Sequence, residues 1–530
     1  MKKIVCAVIC LFALTAAVSA DDNGGGVPFF YENPRAIIIT HPASGNRVTS
    51  SPRTSFLGAC DPDFPLYMNG EEIRTTENGF FSLYVGLERG ENVFAFTNGE
   101  NAETVTVTRE PPEQKVPAET VWYETVVYGS TEYDGISRFA DYNDDLYMRS
   151  PLAKGTVFRV LGERGDCYII GDGTYVFKNN AYLLDRLIPE IAVSSEKMYD
   201  EYNCTYLLLE VNENALYGVD LRGDNASVKI YSDSEVVYEK ELEFDSPPVG
   251  YTVEFTGEGM EIGFRRPPAL LSEAVALIDA GHGGTDPGAL GPPGAFGAAE
   301  KDFNLYVAEK ARDYLLARGI SVVFVRDGDV DYPVRERVLL FKERPDISVC
   351  VHANSSPIDK DFSELSGPLM FYTLDLSEKA AESVLGHIAA ETGADYTPPK
   401  RQNFAMARYA GCPAMLFEMG FLCNPDEYER LLSVQYLDGM GTALGEAIEK
   451  YLLETAEDDL SESAPTDGDY PPAAAGVIEE EEPPPASEPA PAPEEPEPSG
   501  YMTQNRGLII MCVVLFGALL IAIEPKSIKN

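Results

Sequence analysis

The sequence of 530 residues is poor in positive charge, with 41 lysine and arginine residues against 86 aspartate and glutamate residues, which gives a formal charge of −45. This shortage argues against sequence-independent binding to nucleic acid, because phosphates require a basic surface. It also disfavours docking on an anionic membrane surface by charge alone. Nine cysteines are too few for a disulfide-rich scaffold. A hydrophobic content of 44% is that of a globular protein, and the length predicts about three or four domains.

The first twenty residues have the pattern of a signal peptide. Lys2 and Lys3 precede an apolar stretch over residues 4–17, and small residues before Asp21 form an acceptable cleavage site. An uncleaved N-terminal anchor is the alternative, although the apolar stretch is short for a membrane span. Residues 1–20 are therefore predicted to direct export.

The C-terminal part of the chain predicts a stalk and a membrane anchor. Residues 454–506 form a predicted disordered linker, whose first 47 residues contain fifteen acidic residues, eleven prolines and no lysine or arginine. Residues 507–523 are uncharged and predict a transmembrane helix. Lys526 and Lys529 follow it, and the positive-inside rule places them in the cytoplasm. We expect a cell-membrane protein with a single C-terminal span and its catalytic region on the extracytoplasmic side.

Three β-rich stretches occupy the N-terminal half. Residues 28–110 contain short alternating runs separated by Asn-Gly turns, a pattern that predicts an Ig-like β-sandwich. Residues 119–186 resemble a small wall-associated barrel of the Src-homology-3 kind, although Cys167-Tyr168 stands where such barrels usually have tryptophan. Residues 190–267 alternate again and predict a third β module. A spacer role and binding to wall polymer both stay open for all three.

Residues 272–453 predict an α/β layered domain, because apolar strands alternate there with helical patterns. Asn424 followed by Pro425 has the pattern of a helix start. In such folds, ligands collect at the carboxyl ends of the strands. The predicted strands are 275–279, 320–325, 347–351 and 414–417, and the predicted helices are 302–317, 333–343, 377–391, 425–433 and 436–453.

Candidate metal ligands stand at strand ends in this domain. His282 follows one apolar strand, His352 ends another, and Glu300 lies at a predicted helix start beyond a glycine-rich loop. Imidazole and carboxylate groups are the usual ligands of Zn²⁺, and three protein ligands describe a catalytic site. From spacing alone, a structural role for the two histidines stays open. Glu418 ends a further apolar strand and can act as a proton shuttle, or it can merely cap a loop.

Residues 275–453 resemble the catalytic domain of the zinc-dependent N-acetylmuramoyl-L-alanine amidases of the family-3 type. The resemblance implies that His282, Glu300 and His352 bind zinc and that Glu418 is the catalytic carboxylate. Asn354 and Arg337 are weaker candidates for contacting substrate or orienting the ligands. The matching segments, in chain order, are 278–284, 286–289, Glu300-Lys301, Asn304-Leu305, Arg326, Asp329, Arg337, 352–354, 413–421 and Asn424.

Six cysteines lie between the predicted signal peptide and the predicted span. Those in the three β-rich stretches are predicted to be buried thiols, and a bond between Cys412 and Cys423 stays open. The family usually has serine where Cys350 stands. Because Cys350 lies two residues before His352 on a strand, it faces the same side. It is either a packed thiol or a competing metal ligand.

The resemblance implies hydrolysis of the amide bond between N-acetylmuramic acid and L-alanine in peptidoglycan. The predicted protein is thus a membrane-tethered cell-wall hydrolase with zinc as its cofactor and peptidoglycan as its partner. Two alternatives are open. One is a zinc peptidase that acts within the stem peptides, and the other is a non-catalytic tether that binds peptidoglycan.

Overall fold

A computed structural model of the protein describes residues 35–43, 47–112 and 117–456. The predicted signal peptide, nearly all of the predicted linker and the predicted transmembrane helix lie outside these ranges. No helix within them is long and apolar enough to cross a membrane. The order of elements confirms an N-terminal β-rich region followed by an α/β domain.

The first β-rich region forms two sheets around a small core that includes Phe56, Phe94 and Phe96. One sheet has the strand order β1-β3-β6 and the other β2-β8-β7-β4-β5. Asn69 and Gly70 both have positive φ between two paired strands, as a tight hairpin turn requires. That the pair of sheets is Ig-like stays a prediction. The strands are β1 (Ile38–His41), β2 (Val48–Thr49), β3 (Arg53–Ala59), β4 (Leu66–Met68), β5 (Glu71–Ile73), β6 (Phe80–Gly86), β7 (Gly90–Asn98) and β8 (Asn101–Arg109).

The next two β-rich stretches pack around one shared core rather than two separate ones. The earlier stretch is a seven-stranded sheet, and the later one has sheets of four and three strands. Their strands are β9 (Thr120–Thr131), β10 (Phe139–Asp141), β11 (Asp144–Met148), β12 (Val157–Arg164), β13 (Cys167–Ile170), β14 (Tyr175–Phe177), β15 (Ala181–Leu184), β16 (Val193–Glu201), β17 (Cys204–Val211), β18 (Tyr217–Arg222), β19 (Asn225–Ser232), β20 (Glu235–Glu243), β21 (Gly250–Thr256) and β22 (Gly259–Arg265).

The α/β domain is built on a six-stranded sheet with the order β24-β23-β25-β28-β26-β27. Its first four strands in this order are parallel, and β26 runs antiparallel to β28. The strands are β23 (Val275–Ala280), β24 (Ser321–Phe324), β25 (Ile347–Asn354), β26 (Leu369–Tyr372), β27 (Lys400–Arg401) and β28 (Ala414–Phe421). The helices are α1 (Glu300–Ala317), α2 (Val334–Arg337), α3 (Glu378–Thr392), α4 (Pro425–Leu431) and α5 (Val434–Thr455).

Both faces of this sheet are covered, because successive side chains on a strand point to opposite faces. Ile278 packs in the core formed with α1, α3 and α5, whereas its neighbour Leu277 packs on the other side with Phe341 and Met406. Every cysteine in the described part of the chain is a free thiol, including Cys412 and Cys423.

The parallel strands bring the candidate residues to one edge of the sheet. Ala280 pairs with Val351 in β25, and His352 pairs with Glu418 in β28. Because parallel strands end at the same edge, the loop after β23 lies beside His352 and Glu418. The site is therefore assembled where three neighbouring strands end.

Candidate metal centre

The first candidate ligand, His282, lies in a tight loop just beyond β23. Its φ is +60°, and Gly283 and Gly284 continue with φ values of +133° and +56°. Residues with a side chain rarely adopt such backbone angles, so the loop needs its glycines and holds His282 in an uncommon conformation. Strained residues of this kind concentrate at functional sites.

Asp286 orients the His282 ring. Its carboxylate lies 2.7 Å from His282 Nδ1, which leaves Nε2 directed at Glu300, 3.2 Å from Glu300 Oε1. Asp286 belongs to the matching motif, but its place in the sequence alone predicts no role for it. Its signal was an acidic residue four positions after the histidine, where a turn can return it to the ring.

Two buried arginines hold the same loop by its backbone. Arg337 forms an ion pair of 2.6 Å with Asp279 and donates to the carbonyl oxygens of Ala280 at 2.8 Å and His282 at 2.6 Å. Arg326 also donates to Ala280, at 2.8 Å. Arg337 is only 5% exposed, so the structure places it as a group that orients the loop.

Glu300 is the centre of the candidate site. It is the first residue of α1, and its Oε1 lies 2.8 Å from His352 Nδ1 as well as close to His282. Its Oε2 accepts a hydrogen bond from the backbone N–H of Ala289 at 2.7 Å. One ligand atom from each of His282, Glu300 and His352 falls within 4.8 Å of the other two, so the three residues can hold a metal ion.

Two glycines leave the space that these side chains occupy. A Cβ atom at Gly281 would lie 2.2 Å from the His352 ring, and one at Gly288 would lie 2.5 Å from Glu300 Oε2. Gly288 also has a φ of +68°. The His352 and Glu300 side chains therefore pack directly against the backbone of these two glycines, which explains why residues without a side chain occupy positions 281 and 288.

The three candidate ligands strongly influence one another's charge. Burial alone would lower the pKa of His282, but Glu300 and Asp286 outweigh it and raise that pKa to about 9. Burial would raise the pKa of Glu300, but hydrogen bonds from His282 and His352 hold it well below its usual range. The carboxylates of Glu300 and Asp286 thus favour positive charge beside them at His282.

Glu418 lies beside this cluster, on the neighbouring strand to His352. It is 9% exposed, and its buried Oε2 has no hydrogen-bond partner among the residues that the structure describes. Burial, with a contribution from Glu300, raises its pKa to about 7, against the opposing effect of His352. A carboxyl group with a pKa near neutrality and a free oxygen can both accept and donate a proton.

The remaining candidates lie near the cluster in other roles. The Asn354 side chain accepts a hydrogen bond from the backbone N–H of Ser355 at 2.7 Å. Cys350 donates to Asp279 Oδ2 at 2.9 Å, and burial raises the pKa of its thiol well above the usual value. Cys350 is not in the metal-binding group, so of its two sequence-based interpretations the structure supports a packed thiol.

A parallel α/β sheet that places two histidines and two glutamates at its carboxyl edge has the architecture of a metal-dependent hydrolase. Residues 276–450 match a family model described as N-acetylmuramoyl-L-alanine amidase. The chain belongs to this family, and the prediction of an enzyme of this type is confirmed. Family membership disfavours the non-catalytic tether.

Three proteins of Bacillus subtilis (strain 168) are similar to this chain. The uncharacterised protein YqiI is 30% identical over 182 residues, which are 33% of this chain and 84% of that protein. A germination-specific N-acetylmuramoyl-L-alanine amidase is 28% identical over 35% of this chain and 83% of its own length. The N-acetylmuramoyl-L-alanine amidase LytC is 29% identical over 34% of this chain and only 36% of its own length.

Proposed function

We propose that the protein is a zinc enzyme that hydrolyses the amide bond between N-acetylmuramic acid and L-alanine in peptidoglycan. The observation that carries this proposal is the convergence of His282, Glu300 and His352 within 4.8 Å, next to a buried oxygen of Glu418 that has no partner among the described residues. Family membership supports the choice of the substrate.

The residues present suit zinc. Two imidazoles and one carboxylate are a usual ligand set for a catalytic zinc ion, which keeps a fourth position open. Ligand atoms bound at about 2.0–2.1 Å around a tetrahedral ion lie roughly 3.3 Å apart. Glu300 Oε1 is 2.8 Å and 3.2 Å from the two histidine nitrogens, close to that spacing. The carboxylate of Asp286 on the other nitrogen of His282 is also typical of metal-binding histidines.

Glu418 is the group that we expect to move protons. When bound, zinc acts as a Lewis acid that activates water and polarises the amide carbonyl. Glu418 accepts a proton as water attacks the lactyl carbonyl carbon, and it donates that proton to the nitrogen of L-alanine as the C–N bond breaks. The products are a free lactyl carboxyl group and a new N-terminal alanine. Burial raises the pKa of the Glu418 carboxyl, which suits a group that both accepts and donates a proton.

The location of the enzyme is part of the proposal. Residues 1–20 and 507–523 support export and anchoring by a single C-terminal span, with the acidic, proline-rich linker as a stalk between the anchor and the catalytic domain. The catalytic domain would then face the wall polymer from the extracytoplasmic side of the cell membrane.

The test is digestion of purified peptidoglycan, with identification of the new amino termini and the product masses. The wild type should release N-terminal alanine, a chelator should abolish the release, and added Zn²⁺ should restore it. Glu418→Gln should reduce the rate by about 10²–10⁴-fold, whereas Glu382→Gln on the exposed side of α3 should leave it unchanged. New termini from other stem-peptide residues would instead support the zinc peptidase.

A further inference from the structure

The N-terminal sandwich (the two sheets of residues 38–109) packs directly on the α/β domain, and it does so next to the candidate site. It contacts the segments that lead to or from the site residues through several independent bonds. The contacted segments are 289–299 before Glu300, 355–362 after His352 and 421–431 after Glu418. A spacer would not need contacts with all three.

The segment after β25 is fixed by three successive carbonyl groups. Ser55 donates its backbone N–H to the carbonyl of Ile358 at 2.6 Å and its hydroxyl to that of Lys360 at 2.5 Å. The Tyr84 hydroxyl donates to the carbonyl of Asp359 at 2.8 Å. Irregular segments have no regular backbone partners, so these bonds determine its path.

The sandwich also holds α4 and the loop before α1. Both terminal nitrogens of Arg74 bind the carboxylate of Asp426, at 3.0 and 2.9 Å. The Thr40 hydroxyl donates to the carbonyl of Pro292 at 2.7 Å. An exposed ion pair adds little stability, but two parallel bonds fix the orientation of the partners.

The deepest contact is made by Phe80, which is fully buried in the core of the α/β domain. Its ring forms a T-shaped pair with Tyr428 at a centroid distance of 5.3 Å, and Tyr428 forms another with Phe303 of α1 at 5.9 Å. The Tyr428 hydroxyl donates to the carbonyl of Ala298 at 3.0 Å. Ala298 lies two residues before Glu300, so a short chain of contacts joins the sandwich to the central candidate ligand.

The loop before Glu300 closes tightly around the Tyr428 ring. A Cβ atom at Gly291 would lie 2.1 Å from this ring, and one at Gly297 would lie 2.5 Å from its hydroxyl oxygen. The position of the ring therefore determines the position of the loop, because close-packed atoms cannot move independently.

We propose that the N-terminal sandwich helps to hold the metal site in its binding geometry. Phe80 of the sandwich packs against Tyr428, and Tyr428 is the positioning residue that keeps Glu300 in place. The inference rests on the proposed function in that it concerns the zinc ligands. It requires only that the metal binds, and not that an amide is cleaved. Metal–ligand distances tolerate about 0.2 Å, so a small displacement at the start of α1 weakens binding.

The experiment measures zinc affinity of the full-length protein by competition with a chromogenic chelator, together with the absorption spectrum of the Co²⁺ form. The variants are Tyr428→Phe, which removes only the hydroxyl, and Phe80→Leu, which keeps apolar volume. Tyr217→Phe is the matched control. Tyr217 is 1% exposed and likewise donates to a backbone carbonyl, that of Pro151 at 2.8 Å, but it lies in the β-rich region.

We expect the zinc dissociation constant to rise by about 3–10-fold in Tyr428→Phe and Phe80→Leu, below the 10–100-fold typical of groups bonded directly to a ligand. The Co²⁺ spectrum should change in parallel, and Tyr217→Phe should stay within about twofold of the wild type. Unchanged affinity in both test variants, with melting temperatures lowered as in the control, would overturn the proposal. A wild type that binds zinc without cleaving the amide would contradict the proposed function and leave this comparison valid.

Discussion

The buried ion pair between Arg337 and Asp279 offers a sharp test of how the site is held. Their side chains are 6% and 1% exposed, and the nearest charged atoms are 2.6 Å apart. The perturbation is Arg337→Met, which keeps an unbranched apolar stem and removes the charge. Its matched control is Arg74→Met, because Arg74 forms a similarly close pair with Asp426 but is 79% exposed.

The structure gives the expected size of the two effects. Within the described part of the chain, removal of Arg337 leaves the buried Asp279 carboxylate with the Cys350 thiol as its remaining side-chain donor. Loss of one partner of a buried pair costs about 3–5 kcal/mol. The carbonyl of His282 also loses a donor, so we expect Arg337→Met to lower the free energy of local unfolding by about 4 kcal/mol or more. The exposed Arg74 pair should contribute about 0–1 kcal/mol.

Amide hydrogen exchange of peptides from β23 and β25 is the suitable assay, because it reports local opening around the pair. A loss of about 4 kcal/mol corresponds to roughly thousand-fold faster exchange. Arg337→Met should show this acceleration in both strands, while Arg74→Met should leave them unchanged. Adding Asp279→Asn to Arg337→Met should recover part of the loss, because it removes the unpaired charge. Equal and small effects of both single variants would refute the reasoning.

Three further predictions concern single positions. Burial lowers the pKa of His41. As the pH drops below about 6.5, the unfolded chain therefore binds a proton before the folded protein does, and the stability of the fold decreases. His41→Gln should flatten the dependence of stability on pH between about pH 7 and 5, and an unaltered slope would contradict this. Gly288→Ala should weaken zinc binding by at least about tenfold, because a Cβ atom there meets Glu300 Oε2 at 2.5 Å; unchanged affinity in a chelator competition would disprove it. Cys350→Ser should retain amide cleavage and a zinc affinity within about twofold of the wild type, because the hydroxyl can replace the thiol as donor to Asp279. Loss of zinc binding in the same chelator competition would show that Cys350 is a metal ligand.

The strands that carry the site were predictable because they are short apolar runs ending in polar residues. The pattern of apolar runs predicts β23, β24, β25 and β28 within a few residues of their observed bounds. It missed β26 and β27, which are four and two residues long and follow no clear alternation. Asn424 caps α4 as predicted, since its side chain accepts from two backbone N–H groups of the first turn.

Roles that depend on contacts between residues distant in the chain could not be predicted from the sequence. Arg337 was a candidate for contacting substrate or orienting ligands, and only its bonds to Asp279 and to the loop carbonyls distinguish the two. Asp286 needed the turn that returns it to His282. Neither contact leaves a periodic pattern along the chain, because one joins residues distant in sequence and the other depends on the positive φ of Gly283 and Gly284.

The packing of the sandwich changes what counts as the catalytic unit. A fragment beginning at residue 272 contains every candidate ligand, yet it would lose Leu57 from the apolar cluster that includes Phe362 and Phe421, and the contact that Phe80 makes with Tyr428. Those apolar faces would then meet water, at roughly 25 cal/mol for each Å² exposed. The loops beside Glu300 and His352 would also lose their partners. Low activity of such a fragment would therefore measure the missing support as well as the chemistry, and an informative assay begins with the sandwich in place.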